Sequence, residues 1–98
     1  MVVEIVMYRL KSGCEAEFRI AHDDICHQLE SIPGFISLKS VAAIGDSRLR
    51  CDHCLWQSLA LAESSKPAFK ALPGAKRFLS LIEEGSIVGG IFRHEQLN

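Results

Sequence analysis

The sequence predicts an α+β domain of ferredoxin-like type, with the order β-α-β-β-α-β and an antiparallel four-stranded sheet carrying its helices on one face. Three observations predict it. Runs such as VVEIVMYRLK and FISLKSVAAI are rich in β-branched residues and suit strands. Between them Phe18, Ala21, Ile25, Leu29 and Ile32 recur at spacings of three and four, the period of an amphipathic helix. Turn residues divide the chain at KSG, PGF, GDS and LPG.

The elements follow in order. The first strand covers about residues 2–10 and breaks at KSGCE. The helix starts near Glu15 and stops at PGF, where proline disfavours helix in the residue before it and glycine permits the turn. FISLKSVAAI forms the second strand, GDS the turn and LRCDHCLWQ the third strand. Ser58 is placed to cap a second helical region that begins with LALAESS. Pro67 and LPG are expected to divide that region, leaving AKRFLSLIEE as its last piece. SIVGGIFRHEQL is the last strand, and its Gly89-Gly90 pair suggests a bulge or a close backbone approach.

Composition narrows the function classes. A chain of 98 residues is one domain. With 48% hydrophobic residues, 23% charged residues and a net charge of −1, it has the usage of an ordinary globular protein. Acids and bases are mixed, with no basic run or interleaved aromatic-basic patch to suit nucleic acid. No apolar run approaches a membrane span, and the start lacks a basic, cleavable leader, so the expected location is cytoplasmic. Cys14, Cys26, Cys51 and Cys54 are then expected as reduced thiols.

The C-x-x-C spacing in RCDHC sits on a strand. Successive side chains there point to opposite faces, so Cys51 and His53 go one way and Asp52, Cys54 and Trp56 the other. Two cysteines so arranged can neither bridge nor share a metal ion, and they read as small buried hydrophobes. On the first strand Val3, Ile5 and Met7 form a fully apolar set suited to lie beneath helices. Glu4, Val6, Tyr8 and Leu10 form the alternate set, matched on the third strand by Asp52, Cys54 and Trp56. If these mixed sets face away from the helices, they are too apolar for water, and a second copy of the chain is the natural cover. Two sheets packed face to face would enclose a pocket edged by Glu4, Tyr8, Asp52 and Trp56. Those polar groups could equally be satisfied by one another or by water.

The opening VVEIVMYRLKSG, then IPGFISLKS, D-x-C-x-W-x-SLALA and FLSLIEEGSI resemble the antibiotic biosynthesis monooxygenase-like family over nearly the whole chain. The resemblance implies a dimeric α/β barrel, with a pocket between sheet and helices in each subunit. It also implies a range of activities, from cofactor-independent oxygenation of quinol-like aromatics to haem degradation. The haem-degrading branch carries an asparagine on the first strand and a histidine in the second helical region. This chain has neither, although Trp56 matches a tryptophan of that branch in general position. Glu4, Asp52 and Trp56, with Ser58 opening the helix, are the positions that resemble closer members.

Two further constellations carry possible chemistry. In HDDICHQ, His22 with Cys26 and Asp23 with His27 are pairs four residues apart on the first helix. A metal ion would need further ligands, so the cluster reads as a solvated face with His22 or Cys26 grazing the core. His94 could line the pocket and shuttle protons, or lie on the surface. The favoured function is a small monooxygenase-like oxidoreductase acting on an aromatic or polyketide-like molecule, with no cofactor and no metal. Asp52 or Glu4 would take the substrate proton, and Val6, Tyr8, Trp56 and His94 would line the site. The alternatives are a hydrophobic-ligand-binding or stress-response barrel, and a packed structural dimer.

Overall fold

The computed structural model describes residues 1–95. Its elements are β1 (Val2–Arg9), α1 (Glu15–Leu29), β2 (Phe35–Ala43), β3 (Asp46–Trp56), α2 (Leu59–Lys70), α3 (Ala75–Ser80) and β4 (Val88–Phe92). The antiparallel sheet has the order β2-β3-β1-β4, the ferredoxin-like arrangement.

Local chemistry sets most boundaries. Phe18, Ala21, Ile25 and Leu29 are the buried stripe of α1, and Ile32 continues it into the following turn. Gly34 then adopts φ +89°, where a side chain would meet Leu61 of α2 at 2.6 Å. Ser58 caps α2 by accepting a hydrogen bond from the Leu61 amide at 3.2 Å. Pro67 does not divide this helix. α2 runs through it to Lys70, and the break falls at Leu72–Gly74 alone. β3 starts at Asp46 rather than Leu49, because the hairpin closes in two residues at Ile44 and Gly45. β4 is shorter than expected, ending at Phe92 opposite Val3, and the expected strand positions 96–97 lie outside the described residues. Gly89 marks the close approach, since a Cβ there would stand 2.9 Å from the Ile5 carbonyl oxygen.

The two faces of the sheet are the reverse of the sequence expectation. Tyr8 and Leu10 are buried with Phe18, Ala21 and Ile25 of α1 and with Phe78 of α3. Cys54 and Trp56 are buried with Val2, Leu29 and Ala62. The mixed set therefore lies beneath the helices. Val3, Ile5 and Met7 pair with Leu55, His53 and Cys51 on the open face, where Met7, Val88 and Phe92 are exposed. The physical reason is that the polar atoms of the mixed set satisfy one another. The Tyr8 hydroxyl donates to Asp52 at 2.9 Å, and the Trp56 indole donates to Glu4 at 3.1 Å. Once those groups are paired, the bulkier set fills the space under two helices better than three aliphatic chains.

Gly34→Ala should destabilise the fold by about 3 kcal/mol, combining left-handed strain with a clash on α2. Gly45→Ala, also at positive φ but in open space, should cost about 1 kcal/mol. Urea denaturation of both variants checks the difference.

Candidate functional site

The polar side chains beneath the helices gather in two places. At one, the carboxylate of Asp52 on β3 collects partners from three other elements. Tyr8 of β1 donates to Oδ2 at 2.9 Å, and Ser40 of β2 donates to Oδ1 at 2.6 Å. His22 of α1 stands with Nε2 at 3.4 Å from both carboxylate oxygens and at 2.8 Å from Ser40 Oγ. Because the Ser40 proton is used on Asp52, His22 Nε2 is the donor toward Ser40. The other ring nitrogen, Nδ1, faces Cys26 Sγ at 3.4 Å, one helical turn along α1. Side-chain exposure is 14% for His22 and 13% for Asp52.

Register explains the convergence. Ser40 sits directly opposite Asp52 across the β2–β3 ladder, and Val6 sits opposite it on β1, so Tyr8 is the next residue along on the same face. α1 crosses above, so that Phe18 and Phe78 of α3 pack on the Tyr8 ring and His22 packs on both phenylalanines. Burial by itself would lower the basicity of His22. Hydrogen bonds to Asp52 and Cys26, with their charges, outweigh it and raise the imidazole to about 9. Burial and the adjacent Asp52 carboxylate push the Tyr8 phenol well above its usual range.

A cleft of about 680 Å³ opens beside this cluster, lined by Phe18, Arg19, Ile20, His22, Ser40 and Arg50, with Glu15 and Asp23 at its rim. The Arg50 guanidinium stands 5.2 Å above the Phe18 ring. Glu15 Oε1 is buried with no hydrogen-bond partner among the described residues.

The second place is the Glu4–Trp56 bond. Trp56 is only 2% exposed and stacks edge-on against Phe35, so it belongs to the core and walls no open space. Glu4 and Val6 line a different cleft of about 710 Å³ with Leu59, Glu63, Lys66 and Ile91. That cleft holds carboxylates and one lysine but no linked acid–base pair, which favours the His22 cleft as the candidate site.

The expected site residues therefore separate. Asp52 and Tyr8 come together beneath α1, whereas Glu4 and Trp56 meet towards the start of β1, and Val6 lies between the two, packed near Tyr8 and lining the Glu4 cleft. These side chains are covered by the chain's own helices and do not face away towards a second sheet. His94 is exposed beyond β4 and lines neither cleft. Sequence reasoning passed over His22, Ser40 and Arg50 as site residues. The available signal was that His22 follows the buried Ala21, at the edge of the α1 stripe. Cys51 and Cys54 do alternate across the sheet, and all four cysteines are free thiols. Burial pushes Cys54 up to about 12, aided by the Glu4 charge. Among the described residues no group of three or more His, Cys, Asp or Glu is placed to hold a metal ion.

No family model matches the chain, and no curated protein matches it by sequence. Solved structures do. SnoaB, a cofactor-independent oxygenase from Streptomyces nogalater, superposes with a TM-score of 0.79 over 98% of this chain and 94% of its own, at 17% identity. The fold is that of the antibiotic biosynthesis monooxygenases. A protein from Nitrosomonas europaea named as a candidate antibiotic biosynthesis monooxygenase gives a TM-score of 0.73 over 96% of this chain and 98% of its own, also at 17% identity. A similarly named protein from Deinococcus radiodurans gives 0.72 over 100% of this chain and 96% of its own, at 13% identity. These monooxygenase-fold neighbours match nearly end to end, so the chain has no large insertion relative to them. Among the described residues no helix is long and apolar enough to cross a membrane.

The raised basicity of His22 sets a pH dependence. The group binds its proton more tightly folded (about 9) than unfolded (6.5). Its stabilisation is complete below about pH 6.5 and is lost as pH rises through about 9. Between pH 6 and 10 the stability advantage of the native protein over His22→Gln should shrink by on the order of 2 kcal/mol, less than full linkage because the pair is partly solvated. Urea titrations of both proteins across that range measure it.

Proposed function

We propose that the chain is a small oxygenase that works without a resident cofactor on a hydroxylated aromatic or polyketide-like molecule bound in the His22 cleft. The observation that carries the reading is the His22–Ser40–Asp52 relay beside a cleft that offers aromatic and cationic walls. The oxygenase fold supports it. In such a reaction an activated methylene between carbonyl and aromatic groups loses a proton to give a resonance-stabilised carbanion. Dioxygen takes up the electrons. One oxygen atom enters the product as a ketone and the other leaves as water, with both methylene hydrogens. One methylene compound and one dioxygen thus become one ketone and one water.

Each neighbouring group has a part in this scheme. As an imidazolium His22 offsets the developing enolate charge, and in its neutral form it accepts the substrate proton. Arg50 adds positive charge beside the Phe18 ring, and Glu15 Oε1 can accept a hydrogen bond from a substrate hydroxyl. Asp52 is already hydrogen-bonded by three side chains, so it orients His22 rather than taking the proton itself. Glu4, bound to the core indole, has no part in the chemistry.

Oxygen uptake with anthrone-type substrates, without added cofactor, tests the proposal. The native protein should consume one dioxygen per ketone formed. His22→Gln should lower kcat by about 100-fold or more, and Lys66→Ala in the other cleft should leave it unchanged. Absence of uptake above the spontaneous rate across the panel would overturn the reading.

The proposal includes a second copy of the chain across the open sheet face. Exposed Met7, Val88 and Phe92, beside Val3, Ile5 and Leu55, form an apolar surface that water solvates poorly. Sedimentation velocity should give twice the monomer mass, and Ile5→Asp should return the protein to monomer.

A further inference from the structure

We propose that Cys26, His22 and Asp52 form a second chemical device, a nucleophilic thiol with its base and orienting group, that adds to α,β-unsaturated carbonyl compounds. The hydrogen-bond pattern assigns each part. Ser40 donates its proton to Asp52 and accepts from His22 Nε2, which fixes the N–H on Nε2. That leaves Nδ1 to hold the Cys26 proton as part of an imidazolium, in line with the raised basicity of His22, and Nδ1 faces Cys26 Sγ at 3.4 Å. The thiol, the imidazole and the carboxylate thus stand in the order that nucleophilic cysteine chemistry requires. The i, i+4 spacing on α1 holds sulfur and ring together without a loop, and Ser40 and Asp52 lock the ring from the sheet below.

Cys26 differs from the other three thiols in what it touches. Cys54 is buried, and burial holds its proton tightly. Cys51 lies on the open face of the sheet, its thiol pushed up by partial burial and by the Asp52 charge. Cys14 packs at the edge of the core, and its thiol approaches the Ser12 carbonyl at 3.9 Å with no base beside it. Cys26 is half-buried, so a small reagent can reach it while the imidazole stays shielded.

The step balances without an oxidant. With the Cys26 proton held at His22 Nδ1, the thiolate forms an S–C bond at the β-carbon. The C=C electron pair shifts toward the carbonyl, and the imidazolium returns the proton to the resulting enolate. No net oxidation occurs. The occupant is therefore a soft carbon electrophile of the enone or quinone class. The device does not depend on the oxygenase reading, because its readout is a covalent adduct rather than turnover.

Limiting N-ethylmaleimide, followed by peptide mapping, tests it on the intact protein. Cys26 should be labelled at least tenfold faster than Cys14 at pH 6.5. Its rate should fall only slightly from pH 8 to 6, whereas an unassisted thiol loses about tenfold per pH unit below about 8.5. The charged and titratable groups around the pair are Tyr8 from β1, Asp52, Arg50 and Cys54 from β3, and Asp23 on α1. Their influence is separated by His22→Gln, which should cut Cys26 labelling about tenfold without changing that of Cys14. Labelling of Cys26 no faster than Cys14, or a tenfold-per-unit pH slope in the native protein, would overturn the proposal even if the His22 variant failed to fold.

Discussion

The carboxylate of Asp52 draws a hydrogen-bonding partner from each of the other elements around it: a phenol from β1, a hydroxyl from β2 and an imidazole from α1. A lone carboxylate under a helical layer would cost several kcal/mol in lost hydration. Shared among three partners it becomes compatible with burial, and it ties the helix to three strands at one point. The orientation of the whole sheet depends on that arrangement. With Asp52 turned inward, Tyr8, Cys54 and Trp56 must also turn inward, because strand alternation leaves no choice.

This constraint explains what was legible in the sequence. The order of elements was readable because helical and strand periodicities differ sharply. The α1 stripe from Phe18 to Leu29 was readable residue by residue. The direction of each sheet face was not. Alternation sorts β1 into two sets but does not say which set meets the helices. Val3, Ile5 and Met7 are the more uniformly apolar set, and a rule based on hydrophobicity alone sends them inward. The deciding contacts, Tyr8 with Asp52 and Glu4 with Trp56, join residues 44 and 52 positions apart and leave no trace in local pattern. Pro67 shows the same limit on a smaller scale. Its local signal is a break, yet α2 runs through it.

The candidate site shows why a conspicuous motif misled less than an inconspicuous one. The C-x-x-C in β3 attracts attention, but the strand parts its two thiols. HDDICHQ was legible as two helical pairs, and the chemistry of one pair emerged only when Ser40 and Asp52 came up beneath it. The residues predicted for chemistry divided between two clefts because they spread along β1, whose ends lie under different helices. Clustered polar residues in a sequence thus mark a site only when another element arrives to complete their hydrogen bonds.

The groups around Asp52 are separated in sequence by very different loop lengths. Ser40 and Asp52 belong to one hairpin, joined by a two-residue turn, and can meet early at small entropic cost. Tyr8 reaches the same carboxylate only after β1 slides in beside β3, closing a loop that spans α1 and β2. The β1–β3 pairing is therefore also the contact that completes the hydrogen bonding of Asp52, so the cluster exists only where the middle of the sheet is closed.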